Sequence, residues 1–133
     1  MSANLPTILI GVTDHAARLT YAAGLVAAGY SVHQVESGLR CLTELRKRVY
    51  SLLVVDIHLR GGGGDGVIEL MLYDDSINVI PAVLIDIPPV VLSGASVRRL
   101  AKPIAVGELV QVVQGRLNQC EPNDRNAVES NLS

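Results

Sequence analysis

The chain has 133 residues, a formal charge of -2 and 49% hydrophobic residues, with no Phe or Trp and four Tyr. That length suits one domain whose core covers well over half of the unfolded surface, built here from Val, Leu, Ile and Ala. The balanced charge gives no concentrated basic surface for nucleic acid, and the short runs Arg46–Arg48 and Arg98–Arg99 read as solvated faces.

Residues 7–12 (TILIGV) form an apolar run of strand length, followed by a helical stretch with Asp14 at the N-cap and Gly29 at the C-terminal end. Leu19, Ala22, Ala23 and Val26 are expected on its buried face. A second strand alternates Val32 and Val35 with polar residues, and a second helix repeats Leu39, Leu42, Leu45 and Val49. SLLVVD, residues 51–56, is uniformly apolar until its aspartate, as expected of a central parallel strand covered on both faces. The four glycines 61–64 read as a flexible insertion before a short third helix, GVIELMLYDD. A fourth strand follows Pro81, and VRRLA is a weaker fifth. The last helix presents Val106, Leu109, Val110, Val113 and Leu117 on one face.

Strands alternating with helices predict an α/β fold with a right-handed parallel sheet of five strands. The aperiodic segment 120–133 is expected to be a frayed tail on a domain spanning 1–119. Cys41 and Cys120 match neither a redox nor a metal-ligand spacing, and free thiols are expected. No signal peptide or membrane-length apolar run is present, so a soluble, cytoplasmic chain is expected.

In open α/β sheets ligands bind beyond the carboxyl ends of the strands. That rule selects Thr13 and Asp14, Asp56, Asp86 and Lys102. Carboxylates converging on one lysine suit magnesium and phosphoryl chemistry: a hard cation takes oxygen ligands, and the lysine offers a point charge to a phosphate. The glycine run is a poor phosphate-binding loop, because it lacks the Gly-Lys-Ser/Thr ending of a P-loop. His58 reads as a surface histidine rather than a metal ligand.

Asp56 closing LLVVD, then Asp65-Gly66, then Lys102-Pro103 before an amphipathic last helix resembles the receiver domain of bacterial response regulators, the CheY-like family. The likeness runs from about residue 7 to residue 117. It implies a doubly wound, flavodoxin-like three-layer sandwich. It further implies that Asp56 accepts a phosphoryl group from a histidine kinase and that Lys102 contacts that group. An acidic pair after the first strand would bind magnesium, and a Ser or Thr ending the fourth strand would be the switch.

The chain departs from that pattern in several places. The acidic pair falls on Val12 and Thr13, leaving Asp14 and Asp56 as a weak magnesium site, although for Asp14 the cap of the next helix is the favoured role. The switch position falls on Asp86, whose carboxylate would oppose a phosphoryl group on Asp56; the alternative alignment uses Ser93. Between Ile87 and Val97 the fourth helix is expected to be shortened or missing, since Pro88 and Pro89 open it. Asp56 and Lys102 can also serve simply as an ion pair at the sheet rim.

The expected function is a receiver-like signalling module, not an enzyme, acting through protein contacts with impaired magnesium-dependent phosphorylation. Its partners would be a histidine kinase or a downstream signalling protein, with a homodimer left open and no direct contact to nucleic acid or membrane. The alternatives are a phosphorylatable single-domain regulator using Asp56 and, less favoured, a small flavodoxin-like enzyme or nucleotide binder.

Overall fold

The apolar run ending at Asp56 is the middle of the sheet. In the computed structural model, which describes residues 5–86, 97–101 and 105–119, the elements are β1 (Thr7–Gly11), α1 (His15–Ala27), β2 (Ser31–Val35), α2 (Gly38–Lys47), β3 (Leu52–Asp56), α3 (Gly63–Leu72), β4 (Ala82–Asp86), β5 (Val97–Ala101) and α4 (Val106–Gln119). The sheet is parallel with order β2-β1-β3-β4-β5. Strand order reverses between β1 and β3, so the crevice lies at the carboxyl end of β3.

Side chains alternate across β3 because a strand has a period of two. Leu53 and Val55 pack with Leu42, Leu45, Val67 and Met71 of α2 and α3. Leu52 and Val54 pack with Leu25 of α1 and Leu109 and Val113 of α4. Two cores therefore sandwich the sheet, which is why β3 has no polar residue before Asp56. Pro81 precedes β4 and still serves the ladder as an acceptor, its carbonyl taking the Leu53 N–H at 3.0 Å.

Two helix faces differ from expectation. In α1 the buried residues are Ala22 and Leu25, with Ala17 and Tyr21 partly buried, while Leu19 and Val26 are exposed. The two stripes are equally periodic, and contact with α4 decides between them: Gly24 faces Val106 so closely that any side chain there would collide. In α2 the face is Gly38, Cys41, Leu42 and Leu45. Leu39 is 75% and Val49 93% exposed. The helix stops at Lys47 and Arg48 is extended, so helical spacing no longer applies to Val49. Cys41 is a free thiol, and burial pushes it up to about 12, leaving it inert at neutral pH. The α4 stripe is as expected around Leu109 and Val113.

Asp74, after α3, accepts from the Ser76 N–H at 2.9 Å, the Ser76 hydroxyl at 2.6 Å and Arg46 Nε at 2.9 Å. Those donors, Ser76 first, hold its carboxyl at about 2, below the ordinary 3.8. A depressed carboxylate contributes stability that is present above its unfolded value and lost as pH falls through its folded one. Asp74→Asn is therefore expected to lower the urea midpoint clearly at pH 6 and less at pH 2, where the folded carboxyl is already partly protonated. Equal losses at both pH values would show that charge plays no part.

The expected fourth-helix change after Ile87, Ser93, Lys102 and the tail 120–133 lie outside the described residues. Among the described residues, no helix is long and apolar enough to cross a membrane.

Candidate functional site at the mouth of β3

Asp56 is 6% exposed and is the one buried charged residue among those described. Burial of a carboxylate is tolerated only with partners. Its Oδ1 accepts the His58 N–H at 2.7 Å, while its carbonyl accepts the Leu59 N–H at 3.0 Å. The Leu59 carbonyl in turn accepts the Gly63 N–H at 2.9 Å. Consecutive turns thus carry the chain from Asp56 directly into α3. His58 is exposed and contributes its backbone, in keeping with a surface histidine.

The glycine run is not a flexible insertion. Gly61, Gly62 and Gly63 have φ of +85°, +105° and +79°, the left-handed region that side-chain-bearing residues avoid. A Cβ on Gly63 would lie 2.7 Å from the Ile57 carbonyl oxygen, and one on Gly64 2.6 Å from that of Asp56 and 2.9 Å from Leu84 Cδ1. Glycine is therefore required for the first turn of α3 to lie against the backbone of Asp56 and Ile57. Helix α3 accordingly begins at Gly63, inside the run, rather than after it.

Thr13 stands where the resemblance requires a carboxylate, and its hydroxyl is engaged elsewhere. Oγ1 donates to the Glu36 carbonyl at 2.8 Å and accepts the Arg60 N–H at 2.8 Å. The Gly38 N–H donates to the Arg60 carbonyl at 2.7 Å. One hydroxyl so ties together the connections after β1, β2 and β3. Val12 is 1% exposed among the apolar residues beneath α1. Asp14 is exposed and caps α1, Oδ2 accepting the Ala17 N–H at 2.9 Å. Arg18 braces the same turn, Nη1 donating to the carbonyls of Val12 at 2.9 Å and Thr13 at 3.3 Å.

These donors fit magnesium poorly. The cation is held chiefly through carboxylate oxygens. The Val12 side chain supplies none, the Thr13 hydroxyl is neutral and already bonds two backbone groups, and one Asp14 oxygen is engaged as a cap. Among the described residues, no three His, Cys, Asp or Glu side chains gather into a metal-holding group. Tyr21 feels both carboxylates: burial first, then the charges of Asp56 and Asp14, hold its hydroxyl above the usual phenol range. Residue spacing alone gave no signal for Tyr21 or Arg18, which reach the mouth from the first turns of α1.

Asp86 ends β4, one residue beyond Ile85, the partner of Asp56 across the ladder. Ile85 is buried in the α1–α4 core and so does not line the mouth. Backbone register therefore places Asp86 and Asp56 at the same rim of the sheet. β5 ends at Ala101, immediately before Lys102.

No protein-family model matches the chain, and no curated protein matches its sequence. Solved structures do. A protein described as a response regulator from Chloroflexus aurantiacus superposes with a TM-score of 0.77 at 25% identity, over 86% of this chain and 98% of its own. A CheY-like response regulator receiver domain from Methylobacillus flagellatus gives 0.73 at 21% identity, over 85% and 99%. The signal receiver domain of a histidine kinase from Syntrophus aciditrophicus gives 0.77 at 19%, over 88% and 93%.

Proposed function

We propose that this chain, which has the fold of CheY-like receiver domains, is a receiver module of two-component signalling that works through protein contacts and accepts phosphoryl groups weakly. The observation that carries the reading is Asp56: a buried carboxylate at the carboxyl end of the central strand, at the point where strand order reverses. On this reading an Asp56 carboxylate oxygen forms the new P–O bond as the donor histidine's P–N bond breaks, its electron pair returning to the imidazole. Lys102 neutralises charge on the transferred group, and Asp86, or Ser93 in the other alignment, occupies the switch position. Its partners are a histidine kinase or a downstream signalling protein, in the cytoplasm.

Weak acceptance follows from electrostatics. Phosphoryl transfer relies on stabilising charge on the phosphoryl oxygens, a task that a metal ion and fixed cations share. With Val12 apolar and Thr13 and Asp14 engaged in the scaffold, most of that stabilisation is missing. Incubation with acetyl phosphate and magnesium, followed by intact-mass measurement, is expected to give a phosphoryl adduct on only a minor fraction of the protein, absent in Asp56→Asn. Stoichiometric modification would overturn the impairment. An adduct retained in Asp56→Asn would overturn the assignment of Asp56.

A further inference from the structure

At the end of the molecule opposite Asp56 lies a groove of about 450 Å³, lined by residues 45–50, at the end of α2 and in its connection to β3, and by Ser76, Ile77, Val79 and Ile80 of the α3–β4 connection. Its floor is core: Leu45, Tyr50, Ile77 and Ile80 are buried. Its walls carry Val49 and Val79, which are 93% and 81% exposed, the two most exposed aliphatic side chains among the described residues. Exposed aliphatic residues scattered singly need no explanation, but a pair flanking one apolar groove does.

The charged side chains that line the groove have one sign. Arg46, Lys47 and Arg48 all line it, and no carboxylate does. Their acidic partners stand outside the lining: Asp74 at 2.9 Å from Arg46, and Glu44 at 3.8 Å from Lys47 and 3.3 Å from Arg48. The three basic side chains are about half exposed, and ion pairs at that exposure exchange readily for others. The floor is already in place. The Tyr50 hydroxyl donates to Glu44 Oε1 at 2.6 Å while lying 3.1 Å from His33 Nδ1, which fixes the floor independently of the exposed ion pairs. A preformed site avoids much of the ordering cost of association.

We propose that this groove docks an acidic peptide segment with an apolar face, supplied by a partner protein. Its carboxylates meet Arg46, Lys47 and Arg48, and its aliphatic side chains lie between Val49 and Val79. A peptide fits better than an anionic membrane surface, because the apolar floor is recessed between the walls. The five residues of β3 separate groove and Asp56 by about 17 Å, so docking does not depend on phosphoryl chemistry there.

The test uses a fluorescein-labelled amphipathic peptide of Leu and Glu, its counterpart with Lys replacing Glu, and phosphatidylserine vesicles. The Glu peptide is expected to bind saturably, to shift backbone amide resonances of residues 45–50 and 76–80, and to weaken at least tenfold with Val49→Ser/Val79→Ser and with Lys47→Glu. All three positions are exposed, so the variants should fold, which amide spectra would verify. Failure of the Glu peptide to bind would overturn the proposal, as would undiminished binding to the variants or equal binding of the Lys peptide. Capture by vesicles without peptide binding would assign the groove to a membrane and likewise overturn it.

Discussion

Gly64→Ala is expected to destabilise the protein by about 3 kcal/mol, whereas Gly66→Ala, two residues further along the same helix, should stabilise it by about 0.5–1 kcal/mol. The added methyl is the same; its surroundings are not. At Gly64 it would sit 2.6 Å from the Asp56 carbonyl oxygen and 2.9 Å from Leu84 Cδ1, both in the buried sheet. Neither group can retreat freely, since Asp56 belongs to the ladder and Leu84 is fully buried. At Gly66 nothing lies within 4 Å of the new atom, and only the entropic advantage of alanine in a helix remains. Urea denaturation of the two variants reads this directly, as midpoint shifts of opposite sign. Similar effects at the two positions would mean that the first turn of α3 does not press on Asp56. Where it does press, Gly64→Ala should also move the amide resonances of Asp56 and His58 in the folded fraction.

Val12→Asp, which would restore one acidic residue that the resemblance calls for, is expected to cost at least about 3 kcal/mol and to leave magnesium binding unimproved. Val12 packs with Ile8, Ile10, Leu25 and Ile85 in the layer beneath α1 and α4. A carboxylate there loses its water and meets no donor among those side chains. Such a group titrates above its unfolded value. The penalty should therefore be smallest below about pH 4 and grow as pH rises through the neutral range. Thermal melts at pH 4 and pH 7, with and without millimolar magnesium, distinguish the outcomes. Recovery of stability on adding the cation would show that position 12 reaches the mouth and that the site can be rebuilt by one substitution.

The apolar run 52–55 and its flanking turn residues declared a doubly covered central strand because no other environment suits four consecutive buried aliphatics. Asp56 was legible for the complementary reason, a lone carboxylate where such a run ends. The faces of α1 and α2 were less legible. Leu19 and Val26 are as periodic as Tyr21 and Leu25, and only the close passage of α4 over Gly24 selects the stripe that is buried. Thr13 presented a hydroxyl without revealing its partners, since Glu36 and Arg60 lie 23 and 47 residues away in the chain.

The glycine run shows the same division most sharply. In one dimension four glycines carry no side chain to pattern, so their composition reads as freedom. In three dimensions Gly61, Gly62 and Gly63 take left-handed φ values, and Gly63 and Gly64 are pressed against Ile57 and Asp56. Local sequence determined the alternation of strands and helices, the parallel sheet and the carboxylate at its mouth, because periodicity and hydrophobic burial act over neighbouring residues. The tertiary structure alone decided that Gly63 and Gly64 are packed, that Thr13 is a tie between three connections, and that Val49 and Val79 flank one groove. Each of those depends on distances between segments remote in the chain, which the order of residues does not contain.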